Sequence, residues 1–196
     1  MAYRKLTRPV ESMPARFGPI TQVAYVTRDF RASLDFKIRC MGVGPWFVQE
    51  RAIHTHNYRG EAVQFSMSVG LANSGGLQLE IMEQHDDAPT IYSAAMQRSF
   101  VRDVQHHICM WPEAYDEKLA DALAHGYRAE QDGGNHRGRF IYLSHPAHPE
   151  HMIEFTEATP GRRAFNGAIA AAAQNWDGRD PIRTFADAQA AAEAAS

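Results

Sequence analysis

The sequence predicts an α+β chain made of two β-α-β-β-β modules followed by a C-terminal helical extension. The first observation behind this is repetition. The strand-like run Ile20-Thr21-Gln22-Val23-Ala24-Tyr25-Val26 leads through Asp29 into a helical pattern, and later comes Leu77-Gln78-Leu79-Glu80-Ile81. Farther on, His106-His107-Ile108-Cys109-Met110 leads through Glu113 into a second helical pattern, and later comes His151-Met152-Ile153-Glu154-Phe155. The second observation is chemical. Each opening strand carries a polar residue able to bind metal and each closing strand a glutamate, so Gln22, Glu80, His107 and Glu154 form a four-point pattern with approximate twofold symmetry. Internal repetition outranks any local propensity, and here it indicates two copies of one supersecondary unit around a shared site.

The elements are justified in chain order. Residues 1–17, with Pro9, Pro14 and scattered charges, read as a leading arm. The first module spans 18–84: a strand over 19–26, then Asp29 as N-cap of a helix near 30–41, where Phe30, Leu34, Ile38 and Met41 recur at helical spacing. Gly42 ends that helix, and Gly44-Pro45 is a break before the next strand. Trp46-Phe47-Val48 opens a strand, 54–60 reads as a loop or strand edge, and Val63 to Val69 alternates as a strand. Asn73-Ser74-Gly75-Gly76 is a hairpin-type turn into the strand at 77–83. A linker over 85–103 holds a short helix near 90–98. The second module, 104–158, has a strand at 105–111, a helix at 114–125 closed by Gly126, and a strand near 127–131. A loop at 132–138 comes next, and strands 139–143 and 152–156 flank a His/Pro-rich turn. The Ala-rich extension, 159–196, holds a helix over 162–174 and a tail from Phe185 with few apolar anchors, expected to be mobile or to pack on a partner.

Composition fits a globular chain: 196 residues can bury a substantial core, and 44% hydrophobic residues is ordinary for that class. A formal net charge of -3 gives no electrostatic argument for nucleic acid or an anionic membrane. Cys40 and Cys109 fall in a helical and a strand pattern that suit free, buried thiols. No apolar run approaches the ~20 residues of a membrane span, and the N-terminal charges precede no apolar core, so neither an anchor nor a signal peptide is expected. The expected location is the cytoplasm.

The paired openings Gln22-Val-Ala-Tyr-Val-Thr-Arg-Asp29 and His107-Ile-Cys-Met-Trp-Pro-Glu113, with the endings Leu79-Glu80-Ile81 and Met152-Ile153-Glu154-Phe155, resemble the vicinal oxygen chelate superfamily over residues 18–157. That superfamily includes glyoxalase I, methylmalonyl-CoA epimerase, extradiol dioxygenases and bleomycin-resistance proteins. The resemblance implies a cupped mixed sheet with helices outside and the four residues pointing inward onto one divalent metal per chain. Strand alternation agrees, since Gln78, Glu80 and Met82 share one face and Leu77, Leu79 and Ile81 the other. His107 competes with His106. Alternation puts one inward and one outward, and alignment with the first half favours His107. Glu80 and Glu154 lie among apolar neighbours, where a carboxylate is costly unless paired or metal-bound.

The donor set separates the family's activities. Ferrous dioxygen chemistry suits two histidines and a carboxylate, and Gln22 stands where the second histidine would be needed. One imidazole, one amide oxygen and two carboxylates suit Zn, Ni, Co or Mn, with Zn favoured, and resemble the ligand set of Zn-type glyoxalase I. The resemblance implies an isomerase, epimerase or lyase: the metal chelates two neighbouring substrate oxygens and stabilises an enediolate, while Glu80 and Glu154 move the proton. Expected pocket residues are Trp46, Phe47, His56, Tyr58, Arg59, Arg137, Phe140 and Tyr142, with Arg59 or Arg137 available for a carboxylate or phosphate. The expected partner is a small molecule with adjacent oxygens, bound to a homodimer. A metal-free binding protein of the bleomycin-resistance type is the alternative, and an extradiol-type dioxygenase is less favoured.

Overall fold

A computed structural model describes residues 15–195; of the expected arm, residues 1–14 lie outside the described residues, as does Ser196 at the end of the extension. In β1 (Ile20–Thr27) the buried positions Gln22, Ala24 and Val26 alternate with Val23 and Tyr25. The first set faces inward, while Val23 packs toward the next helix. That helix, α1 (Phe30–Arg39), starts where Asp29 accepts from the Ala32 N–H, and buries Phe30 and Leu34. Next come β2 (Trp46–Tyr58), β3 (Glu61–Ser74) and β4 (Leu77–Gln84). Helix α2 (Ile91–Gln97), with a capping box on Thr90 and Ser93, leads to β5 (Asp103–Met110). The second module continues with α3 (Tyr115–Ala124), β6 (Arg128–Asn135), β7 (Gly138–His145) and β8 (His148–Thr156). The extension forms α4 (Pro160–Ala173), β9 (Ile182–Thr184) and α5 (Phe185–Ala194).

The strands run in the order β3-β4-β1-β5-β8-β7-β6-β2-β9, and β3 also pairs with β2. The first eight strands therefore curl into a barrel-like cup of mixed sheet, each module supplying half. The halves meet twice: β1 pairs antiparallel with β5 along most of its length, whereas β2 and β6 pair only at Asn57–Asp132 and Tyr58–Gln131. Helices α1 and α3 lie outside the sheet, on clusters centred on Trp46, Leu79 and Ile81 and on Leu143, Ile153 and Phe155. Helix α2 plugs the end where β1 and β4 finish, inserting Ile91 and Tyr92 beside Val26, Phe65 and Met82. Helix α4 covers the opposite end, with Phe165 and Ile169 packed on Phe47 and Leu71. Among the described residues, no helix is long and apolar enough to cross a membrane.

Several expectations are corrected. The strands run farther than hydrophobicity indicated, since 54–58 belongs to β2 and 132–135 to β6. Thr55, Asn57 and Asn135 are exposed there and His56 turns inward, while the backbone stays paired. The tail from Phe185 is an ordered helix docked on its own chain. Its few anchors suffice because Ala188 and Ala192 are buried, Phe185 meets the Phe165 ring edge-on at 5.4 Å, and a capping box joins Thr184 and Asp187. Such a cap contributes about 1 kcal/mol. Both thiols are free, but Cys40 is exposed because it caps α1 instead of lying on the helix's buried stripe.

Candidate metal centre

The inward residues form two rows across the sheet. Gln78, Gln22, Cys109 and Glu154 sit side by side on β4, β1, β5 and β8. One step along, Glu80, Ala24, His107 and Met152 form the next row. Gln22 and Glu154 thus share one row, Glu80 and His107 the other, as an approximate twofold axis between antiparallel β1 and β5 requires. Ala24 is the small residue that opens the centre. It is fully buried between Glu80 and His107, and its methyl group leaves room for both side chains to converge.

They converge closely. His107 Nε2 lies 3.0 Å from Glu154 Oε2 and 3.4 Å from Glu80 Oε2. One donor atom each from Glu80, His107 and Glu154 falls within 4.8 Å of the others. Yet His107 Nε2 is shielded from solvent and makes no aligned hydrogen bond. Its other nitrogen is engaged. A bulge in the β1–β5 pairing makes His106 an extra residue, so alternation fails there and both imidazoles are buried, with Nδ1 facing Nδ1 at 2.9 Å. This corrects the expectation of one inward and one outward histidine.

The bulge has a chemical consequence. His106 Nε2 lies 3.4 Å from the Ile91 carbonyl, which can only accept, so His106 carries its proton there. Burial, then the neighbouring charge of His107, pushes the His106 pKa down to about 3, so the ring stays neutral and its Nδ1 accepts from His107 Nδ1–H. His107 is left with Nε2 aimed at two carboxylates, a place that demands a proton or a metal ion. Burial opposes charge on His107, but Glu154 and Glu80 overcome it and raise its pKa to about 9. Glu80 is pushed up by burial against the pull of His107. For Glu154 burial acts in the same upward sense, but His107, the Thr156 hydroxyl donating to Oε1 at 2.8 Å, and the charge of Arg162 hold the carboxyl below the usual range. Glu154 is therefore fixed, with Oε2 toward His107. Glu80 has His107 as its only close polar partner among the described residues.

Gln22 is buried, and its amide nitrogen donates to Gln78 Oε1 at 3.1 Å. A divalent metal of the kind the family implies fits this donor set. A buried imidazole nitrogen that faces two carboxylates with no aligned hydrogen bond is where a cation belongs, and the Nδ1–H held by His106 fixes the tautomer a metal-bound imidazole needs.

Gln22, Glu80 and Glu154 open onto a cavity of about 660 Å³ that also includes His56, Arg137, Phe140 and Tyr142. His56 accepts from Gln131 Nε2 at 2.9 Å and meets Phe65 and Phe140 edge-on, and Gly133 makes space for that packing, since a Cβ there would come within 2.7 Å of Phe140. The hydroxyls of Tyr92 and Tyr142 meet at 3.0 Å, leaving one hydroxyl proton between them to donate. The other four expected pocket residues lie elsewhere. Trp46 is wholly buried beneath α1, with its indole N–H on the Val43 carbonyl, and Phe47 lies under α4. Tyr58 is half-buried against the cluster of Phe65 and Tyr92, and Arg59 stacks on it in the hairpin turn while paired with Glu130 at 3.0 Å. Sequence reasoning missed Ala24, Gln78, Cys109, Thr156, Arg162, Phe165 and Asn166. The inward alternation already signalled the first three and Thr156, whereas nothing local marked the residues of α4. A second hollow, of about 700 Å³, runs along β5 and β8, backed by His106 and His107 and open to His125, His145, His148 and Glu150, but the donors of Glu80, His107 and Glu154 are the three that converge among the described residues, and neither glutamate lines this hollow.

The fold and this centre define a two-module barrel with an inward carboxylate–imidazole–carboxylate cluster. Residues 21–142 match the Glyoxalase/Bleomycin resistance protein/Dioxygenase superfamily, and the chain belongs to it. Among solved structures, methylmalonyl-CoA epimerase from Mycobacterium tuberculosis is similar with a TM-score of 0.53 at 13% identity, covering 80% of this chain and 99% of that one. A hypothetical protein of Bacillus halodurans gives 0.50 at 14% identity, covering 72% and 94%. At such identities the likeness concerns the fold. No curated protein matches the sequence significantly.

Proposed function

We propose that the chain is a divalent-metal-dependent isomerase, epimerase or lyase of the glyoxalase-like kind, moving a proton on a carbon next to a carbonyl. One observation carries the reading: a buried imidazole nitrogen with no aligned hydrogen bond, 3.0 Å from Glu154 and 3.4 Å from Glu80, two carboxylates that themselves line the cavity. Gln22, Glu80, His107 and Glu154 would hold the metal. When bound, it supplies Lewis acidity that stabilises negative charge developing on substrate oxygen.

The chain's own groups divide the remaining work. Glu80 is the base: burial raises its proton affinity toward the working range, and it has no hydroxyl or amide fixing it. Glu154, anchored by Thr156, stays in place and returns a proton from the other side only if the reaction inverts a centre. The Tyr92–Tyr142 pair offers a hydroxyl proton to a substrate oxygen, and Phe140 and Met82 keep water from the reacting carbon. Incubating the protein and Zn with a panel of 2-hydroxy, 2-oxo and 2-substituted acids in heavy water tests this. Wild type should exchange the α-proton of one class, and Glu80→Gln should lose about 10²–10⁴-fold of that rate while keeping metal. Equal exchange by Glu80→Gln at full metal occupancy would remove Glu80 from the role.

A second reading has one observation in its favour. With its pKa raised to about 9, a protonated His107 already balances part of the carboxylate charge, so the aromatic cavity is a coherent binding site without metal. A protein that binds aromatic ligands but no divalent ion would support it.

A further inference from the structure

We infer that the cavity selects compact substrates bearing an oxyanion, a carboxylate or a phosphate, gripped by Arg137 and Arg162 at the end of the barrel that α4 covers. This rests on reading the cavity as a substrate site. Both side chains line it together with Glu154. Arg162, in the first turn of α4, is 8% exposed and points its guanidinium at backbone: to the Gly138 carbonyl at 2.9 Å and the Arg139 carbonyl at 3.4 Å. Arg137 lies flat on the Phe165 ring, 3.9 Å from its centre, and donates to Gln189 Oε1 at 3.3 Å, while its Nε is shielded from solvent and has no partner. Arg139, between them in the chain, has its carboxylates: Asp116 and Glu157, each at 3.0 Å. Among the described residues, Arg137 and Arg162 have none.

A buried Arg162 and a half-buried Arg137, near enough that the charge of Arg162 disfavours that of Arg137 and both lacking a paired carboxylate, form an unbalanced arrangement. An anion in the cavity balances it. The donors are already fixed by backbone carbonyls, a glutamine and an aromatic face, so an oxyanion entering between them orders little on binding. The charge count agrees. With a divalent metal present, two carboxylates and two guanidiniums leave the lining at +2, and that is a site for an acid. The charge of Arg162 already reaches Glu154, so the anion end adjoins the proton-transfer end. A substrate spanning both is short. The arginine-bearing helix belongs to the C-terminal extension, beyond residue 142 where the family match ends.

The test uses the full chain, stripped of metal by a chelator and dialysed, so that anion binding is read without the proposed metal. Malonate and inorganic phosphate are titrated separately by calorimetry into wild type, Arg137→Gln, Arg162→Gln and Arg162→Lys. The inference predicts saturable binding of at least one anion, weakened about tenfold or more by Arg137→Gln and by Arg162→Gln, with Arg162→Lys in between. Whichever anion shows the arginine-dependent loss identifies the source. Should Arg162→Gln fail to fold, the more exposed Arg137→Gln decides alone. Wild type that binds neither anion, or Arg137→Gln that binds both as tightly as wild type, overturns the inference. Zinc titration of the same proteins keeps the two readings apart: arginine-dependent anion binding without any zinc binding would retain this inference and remove the proposed metal function.

Discussion

Gln78 Nε2 lies 2.8 Å from Asn166 Oδ1, tying the inner face of β4 to α4. This contact belongs to a relay with only one polarity. The Arg162 carbonyl can only accept, and it does so from Asn166 Nδ2 at 3.0 Å. Asn166 must then present its oxygen to Gln78, and Gln78 its oxygen to Gln22, which donates at 3.1 Å. The end left over is the amide oxygen of Gln22, the atom a metal requires.

Asn166→Leu should therefore weaken zinc binding by about tenfold or less, since it frees the orientation of a neutral ligand without removing it. Asn166→Asp, which keeps the acceptor for Gln78, should bind zinc close to wild type. Competition with a chromophoric chelator reads both. Equal affinity in Asn166→Leu and wild type would mean that the relay does not orient Gln22.

Zinc should displace a proton. His107 is held up to about 9, so at pH 7 the metal-free protein carries the extra proton on Nε2. Binding at pH 7 should release at least one proton per ion, and affinity should rise about tenfold per pH unit until pH approaches 9. Calorimetry in buffers of different ionisation enthalpy measures this. A pH-independent affinity with no proton release would place the ion away from His107.

Ala24 separates Glu80 from His107 by a single methyl group. Ala24→Leu should cost about 1–3 kcal/mol through overpacking and abolish zinc binding, because the added branch fills the gap where the donors meet. Ala24→Gly should lose some stability but keep the ion. Thermal unfolding with and without zinc separates the effects. A zinc shift retained in Ala24→Leu would show that the centre does not depend on this gap.

Acid stability should carry the signature of His56. Burial, then the neighbouring His54, lowers its pKa to about 4, well below the ordinary 6.5. The unfolded chain takes up a proton near 6.5 that the native protein refuses until about 4. Stability is thus complete above 6.5 and falls as pH drops across that window, by up to about 3 kcal/mol from this residue. His56→Phe should flatten the slope whatever its effect at pH 7. An unchanged slope would assign the acid sensitivity to other groups, with His106 the first candidate.

Much of this was legible in the sequence, and the reasons are specific. Period-two alternation on β1, β4 and β8 put Gln22, Glu80 and Glu154 on one face because those strands are regular across the centre. Alternation could not foresee His106 turning inward, since a bulge is a property of the β1–β5 pairing and not of either strand alone. The aromatic run Trp46-Phe47 read as cavity wall, but adjacent residues on a strand face opposite ways, and both faces here are covered by helices. Helix α4 was visible as a helix, though not where it docks, and α5 read only as an Ala-rich tail. Their Ala-rich faces give little hydrophobic signal, and α4 docks on the barrel through Phe165 and Ile169, on the face that also carries Arg162 to the cavity.

Metal stoichiometry tests the central claim most directly. Protein purified without chelator and analysed by elemental mass spectrometry should carry about one divalent ion per chain, lost on chelation and restored with a gain in thermal stability on adding Zn, Ni, Co or Mn. His107→Ala and Glu154→Ala should fold but carry none, and Gln22→Ala should lose less. A folded wild type that carries no ion and shows no thermal shift with any of the four would contradict the account.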